Sequence, residues 1–166
     1  MPALIQAESV HKTYMVRKNS VHVLRGASLD GKAGETVAII GKSGAGKSTL
    51  MHILGGLDRP DKGRVMTEGR DFYGVAPSAR SKIRAAEIGF VFQSYHLLPE
   101  MDVLENVMLP AMAVRQAFGS RAGLRARAME LLTAVGLADR ADHTPMELSG
   151  GAQQRVALAR ALMNAP

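Results

Sequence analysis

Gly41-Lys42-Ser43-Gly44-Ala45-Gly46-Lys47-Ser48-Thr49 reads as a glycine, four free residues and Gly-Lys-Ser, set between an apolar run, Glu35 to Ile40 (ETVAII), and a helical pattern from about Lys47 to Leu54. A strand, a glycine-rich turn and a helix start in that order leave the first N–H groups of the helix without intrahelical partners, facing whatever lies in front of the turn. An anion suits that place, because the positive end of the helix dipole points the same way. Glycine lets the backbone wrap closely, Lys47 is placed to reach β and γ phosphates, and the Ser48 hydroxyl to ligate Mg2+. With 17 Gly in 166 residues, composition alone would produce the pattern only about 0.01 times. The reading is a phosphate loop built from Gly41, Ser43, Gly44, Ala45, Gly46, Lys47, Ser48 and Thr49.

Outward from the loop, strand-like and helical runs alternate. Ala3 to Ala7 and Leu24 to Asp30 read as short strands, Gly31 to Gly34 as a turn, and Glu35 to Ile40 as a buried strand. Gly55-Gly56 stops the first helix, Arg64 to Thr67 returns as a strand, Ser78 to Glu87 reads as a basic amphipathic helix, and Ile88 to Phe92 (IGFVF) as another buried strand. This is the grammar of an α/β fold. After Gln93 helical periods take over. Asp102 with Glu105 three residues on resembles a capping box, opening a helix that carries Val103, Leu104, Val107 and Met108 and is broken by Pro110. A second helix spans about Arg121 to Val135 with Gly136 as its stop, and Ser149 opens a third through Val156, Ala159 and Leu162.

The 21 Lys and Arg against 15 Asp and Glu leave a charge of +6 with no long run of one sign, so neither a nucleic-acid tail nor a polybasic membrane anchor is indicated. The absence of Cys excludes disulfides, thiol catalysis and thiolate metal sites. His11, His22, His52, His96 and His143 lack metal-ligand spacing and read as surface or core histidines. The start, Met1 to Glu8, lacks the pattern of a signal peptide, and no apolar stretch approaches the roughly 20 residues that span a bilayer.

A phosphate loop says nucleotide, not what the nucleotide drives. Leu148-Ser149-Gly150-Gly151-Ala152-Gln153-Gln154-Arg155-Val156-Ala157-Leu158-Ala159-Arg160-Ala161-Leu162 is a second helix start, with Ser149 as cap and Gly150 and Gly151 exposing N–H groups to which an anion can bind. It resembles the signature sequence of ATP-binding cassette (ABC) proteins, and the resemblance extends in order along the chain. Tyr14 lies where that family places an aromatic ring on adenine, the alternative being a strand tyrosine packed on the sheet. Gln93 matches the family's Q-loop glutamine, which looks toward Mg2+ and the attacking water, the alternative being a polar residue that closes a strand. Within the family, Leu54 to Asp58, Gln93 to Glu100 and Leu104 to Val107 look most like the lipoprotein-releasing ATPases, close to the macrolide-exporter and cell-division ATPases.

The resemblance implies an α/β fold of the P-loop NTPase (ABC ATPase) type with an inserted helical subdomain, incomplete at the C-terminus. Its divisions are a nucleotide-binding core with an antiparallel part over residues 1–93, a helical subdomain over 94–148 and the signature helix over 149–166. It implies ATP and Mg2+ as cofactors, with Ser48 and Gln93 toward the metal. It also implies a homodimer in which Ser149, Gly150 and Gly151 of one copy complete the other's phosphate site. A transmembrane permease is expected to dock after Gln93, on Tyr95 to Leu109, unless that segment is core, and the protein is expected at the cytoplasmic face of a bacterial inner membrane. An ABC-type ATPase acting on nucleic acid would carry long coiled coils or zinc modules between its motifs, whereas Gln93 and Ser149 are 56 residues apart and Cys is absent. The family's Asp-Glu strand and later histidine have no counterpart before Pro166, so these 166 residues are expected to bind MgATP without steady turnover. Leu57-Asp58 and Ala138-Asp139 are not promoted in their place. Ala152, where the family commonly has Gln or Glu, is expected to leave half a capping box at a cost of at most about 1 kcal/mol.

Overall fold

The computed structural model describes residues 3–114 and 120–166. Met1 and Pro2 of the amino-terminal stretch, and 115–119 within the expected helical subdomain, lie outside the described residues. The chain forms two compact units, Met1–Arg80 and Ser81–Pro166.

The first unit is built on an antiparallel sheet of order β2-β1-β3-β4, from β1 (Ala3–Val16), β2 (Asn19–Lys32), β3 (Lys62–Thr67) and β4 (Arg70–Asp71). The two long strands pair from Ala3 with Lys32 to Val16 with Asn19, so both outrun the short strands read from sequence. A tight hairpin lets the ladder run to its tip, where Arg17 takes the left-handed conformation, φ 58°. Ala7, Val10, Leu24 and Val65 are buried on the sheet with Phe72 and Tyr73. Helix α1 (Lys47–Leu54) begins and ends where its glycines predict, and buries Leu50, Ile53 and Leu54.

Two expectations need correction here. Glu35 to Ile40 joins no ladder among the described residues, and Val37 and Ile40 are 45% and 90% exposed. Ile88 to Phe92 likewise joins no ladder among the described residues, and Val91 is exposed. Runs of consecutive apolar residues suit strands covered on both faces, and a parallel neighbour arrives only after a crossover. Among the described residues no segment returns beside either run, so their side chains stay exposed or half-buried.

The second unit is helical. Apart from α2 (Pro77–Glu87), which crosses the boundary between the units, it comprises α3 (Val103–Ala113), α4 (Arg121–Ala134), α5 (Gly150–Ala161) and two 3₁₀ turns, Ala138–Arg140 and Pro145–Glu147. The α3 capping box is complete, with Glu105 N–H donating to Asp102 Oδ1 at 2.7 Å and Asp102 N–H to Glu105 Oε2 at 3.2 Å. Pro110 does not break α3, which continues to Ala113. A proline removes one helical hydrogen bond, and the buried stripe of Val103, Leu104, Val107, Met108 and Ala111 compensates for it. That stripe meets Ala128, Leu131 and Leu132 of α4 and Ala152, Val156 and Ala159 of α5 in one cluster.

Candidate functional site

The phosphate loop has the form its sequence requires. Gly44 and Gly46 hold left-handed φ values of 78° and 89°. A Cβ on Gly46 would stand 2.9 Å from Leu24 Cδ2 and 3.1 Å from the Val23 carbonyl, so only glycine lets the loop pass this close to β2. The first intrahelical bond is Leu50 N–H to Gly46 O at 2.9 Å, and no side chain caps α1. The N–H groups of Lys47, Ser48 and Thr49 therefore precede the helical ladder, available to an anion. Lys47 Nζ turns back onto the loop, donating to Gly41 O at 2.9 Å and Lys42 O at 2.8 Å. The side chain thus closes the loop on itself, and of the three ammonium donors these two bonds leave one for an anion. The Ser48 hydroxyl sits exposed at the same helix start. Amide donors, a primary amine and a hydroxyl are a donor set suited to a polyphosphate and a hard cation.

Tyr14, half-buried near the end of β1, belongs to a polar cluster. Its hydroxyl donates to Asp58 Oδ2 at 2.5 Å. Lys12 Nζ donates to Asp58 Oδ1 at 2.6 Å and to Arg59 O at 2.7 Å, and lies 5.1 Å from the Tyr14 ring centre. Burial and the neighbouring carboxylate raise the Tyr14 pKa above its ordinary value. For Asp58, burial opposes ionisation, but the bonds from Lys12, Tyr14 and Arg59 N–H outweigh it and hold the carboxyl below its usual range.

In the second unit Gln93 is exposed in a turn closed by Tyr95 N–H donating to Phe92 O at 3.1 Å. Tyr95 and His96 follow with left-handed φ values of 57° and 48°. The Arg160 guanidinium holds them, donating to His96 O at 2.6 Å and to Tyr95 O. Burial lowers the Arg160 pKa, yet a guanidinium remains charged. The next residues are fixed by Asn106, fully buried on α3: its Oδ1 accepts from Leu98 N–H at 2.8 Å, and its Nδ2 donates to the carbonyls of Leu98, Met101 and Asp102 at 3.0, 3.1 and 3.0 Å. Of the segment Tyr95 to Leu109, Val103 to Met108 therefore form core apart from exposed Glu105, while Leu98, Pro99 and Glu100 face out.

At the signature, Ser149 Oγ accepts from Ala152 N–H at 3.3 Å, and Gly150 and Gly151 are exposed with no atom within 4 Å of a Cβ at Gly151. Ala152 is buried in the helical cluster, so the position expected to weaken the cap also fills core. Gln153 straps the junction instead, donating to Pro145 O at 2.8 Å and Leu148 O at 3.2 Å.

Lys12, Asp58, Asn106 and Arg160 escaped the sequence reading. Asn106 and Arg160 left one signal, a polar residue on an otherwise apolar stripe: Asn106 is three residues from Val103 and Arg160 four from Val156. Asp58 left none.

A glycine-rich loop opening a helix, followed some 100 residues later by a Ser-capped Gly-Gly helix start, defines the nucleotide-binding domain of an ATP-binding cassette. Residues 24–166 match the ABC transporter family, and the chain belongs to it. The curated relatives it resembles include the lipoprotein-releasing system ATP-binding protein LolD of Bdellovibrio bacteriovorus, 49% identical over 162 residues, which are 98% of this chain and 72% of that protein. LolD of Xanthomonas campestris pv. campestris is also 49% identical, over 99% of this chain and 67% of its own length. Among solved structures, a dimeric post-hydrolysis state of the ATP-binding cassette MJ0796 bound to ADP and Pi superposes with a TM-score of 0.90 at 41% identity, over 98% of this chain and 70% of that one. Another dimeric structure of the same cassette gives a TM-score of 0.91 at 42% identity. No helix among the described residues is long and apolar enough to cross a membrane.

Proposed function

We propose that this chain is the ATP-binding subunit of an ABC transporter that releases lipoproteins, working as a homodimer on permease subunits at the cytoplasmic face of a bacterial inner membrane. The observation that carries the reading is the capless start of α1, where three N–H groups, Lys47 and Ser48 converge in front of a glycine loop. The lipoprotein assignment rests on the relatives named LolD.

Bound ATP supplies a transferable γ-phosphoryl group and Mg2+ its charge neutralisation. The chain's residues do the rest. The loop from Gly41 to Gly46 would wrap the phosphates, Lys47 would pair with the β and γ oxygens, and Ser48 would hold the metal; Gln93 is the glutamine proposed to orient Mg2+ and the attacking water. Thr49 would add its N–H at the helix start, and Tyr14 would offer a ring face to the base. Ser149, Gly150 and Gly151 present their helix start to the γ phosphate on a second copy. The exposed turn Leu98-Pro99-Glu100 is the contact for the permease.

Calorimetric titration of MgATP tests the phosphate assignment. Lys47→Ala removes a charged donor worth about 1.5–3 kcal/mol, a loss of about 10-fold to 150-fold in affinity. An unchanged affinity would overturn it. Leu98→Asp is expected to abolish co-purification with the permease while leaving ATP affinity intact, and retained co-purification would remove that turn from the interface.

A further inference from the structure

Asp58 sits in the turn that ends α1, and that turn is rigid. Leu57 N–H donates to His52 O at 2.8 Å, and the Tyr73 hydroxyl reaches Ile53 O at 2.6 Å and also the Asp58 carbonyl. Gly56, at φ 73°, lies so close to Phe72 that a Cβ would fall 2.2 Å from its Cε1. The carboxylate projecting from this turn has both oxygens engaged: Oδ1 accepts from Lys12 at 2.6 Å and Arg59 N–H at 2.8 Å, and Oδ2 accepts from Tyr14 at 2.5 Å. The Lys12 side chain is only 11% exposed and Asp58 27%, so the pair is shielded enough to hold a fixed geometry.

A tyrosine near a strand end with a free hydroxyl would share its time among rotamers. Here the phenol is held by the turn at the end of α1, the helix that the phosphate loop opens. We propose that Asp58 is a positioning residue for nucleotide-base recognition: it orients the Tyr14 ring at a set distance from the phosphate loop, so that base stacking is preorganised. This rests on the reading of Tyr14 as the base platform. Asp58 itself touches no nucleotide in this scheme, and Lys12 acts by keeping its carboxylate charged and in place.

The test compares two probes by calorimetry on the full chain, MgATP and inorganic triphosphate, which lacks a base. Ordering one side chain on binding costs about 0.5–1.5 kcal/mol, so Asp58→Ala and Tyr14→Phe are each expected to weaken ATP about 2-fold to 10-fold. Triphosphate affinity should not change, and the double variant should bind ATP no more weakly than the weaker single one. Tyr14→Phe keeps the ring and removes only the bond to Asp58, so it carries the test alone if Asp58→Ala does not fold. Unchanged ATP affinity in Tyr14→Phe overturns the proposal, as does an equal loss for ATP and triphosphate in both variants. Tyr14→Ala separates the two layers: a loss there with none in Tyr14→Phe rejects only the positioning role, whereas no loss in either rejects the base platform itself.

Discussion

Replacing Arg160 with Ala removes the two charged hydrogen bonds that hold the turn after Gln93. The guanidinium donates to His96 O at 2.6 Å and to Tyr95 O from 65 residues away in sequence. Bonds from a charged donor contribute about 1.5–3 kcal/mol each, so the clamp contributes at least about 3 kcal/mol. Against it stands the left-handed backbone of Tyr95 and His96, at φ 57° and 48°. That conformation costs about 1–2 kcal/mol per residue, or about 2–4 kcal/mol for the two. The opposing magnitudes are nearly equal, so the turn stays folded only while Arg160 holds it. Without the clamp it should open locally, releasing its strain, and global stability should fall by only about 1–2 kcal/mol in urea unfolding. Amide hydrogen exchange resolves this residue by residue. The Tyr95 and His96 N–H groups, now bonded to Phe92 O and Ser94 O, should lose protection, while Leu98 N–H, held independently by Asn106, should keep it. Adding His96→Gly to Arg160→Ala should recover about 1 kcal/mol by removing one strained residue, less whatever the ring contact with Phe92 at 4.7 Å contributes. Unchanged exchange at Tyr95 and His96 in the Arg160→Ala protein would refute the clamp, and so would equal deprotection of Leu98.

Asn106→Ala should cost about 3 kcal/mol in denaturant unfolding, since it leaves the Leu98 N–H and three carbonyls of a buried junction without their partner; a loss below about 1 kcal/mol would mean that water replaces the amide freely. Gly46→Ala should reduce both ATP affinity and melting temperature, because its Cβ would meet Leu24 at 2.9 Å on a backbone at φ 89°; normal ATP binding in a stable variant would count against the close packing of the loop. The Asp58 carboxyl has a folded pKa below its unfolded value of about 4, so its contribution is complete above that pH and disappears as pH falls through the lower folded value. The stability gap between the native chain and Asp58→Asn should thus stay level from about pH 7 to 5 and narrow below about pH 4; a gap that ignores pH down to about 2.5 would show that Asp58 is not held as an ion.

Local chemistry was readable in the residue order, because its partners lie within a few residues of each other in the chain. The glycine turn before α1, the limits of α1, the Asp102 and Glu105 box and the Ser149 cap all use bonds spanning six residues or fewer, and the structure has each where the residue order puts it. Periodicity likewise found the stripes of α3 and α4, and that of α5 except at its end, where Leu162 is exposed past the last helical residue and Met163 is buried in the cluster instead. Strand pairing did not follow in the same way. Glu35 to Ile40 and Ile88 to Phe92 have the composition of buried strands, yet a ladder is a contract between distant segments, and no described segment joins either run. Pro110 looked like a helix end because propensity is local, whereas the burial that carries α3 past it is collective. Tertiary structure alone assigned the partners of Tyr14, Asn106 and Arg160. Asp58 lies 44 residues from Tyr14 and Tyr95 lies 65 from Arg160, distances at which a hydrogen bond imposes no spacing on the chain. A side chain that reaches a backbone carbonyl also constrains no residue type at the carbonyl's position. The glycine loop and the signature turn were therefore legible from their own motifs, and the residues that hold those motifs in place became visible only once the chain had folded.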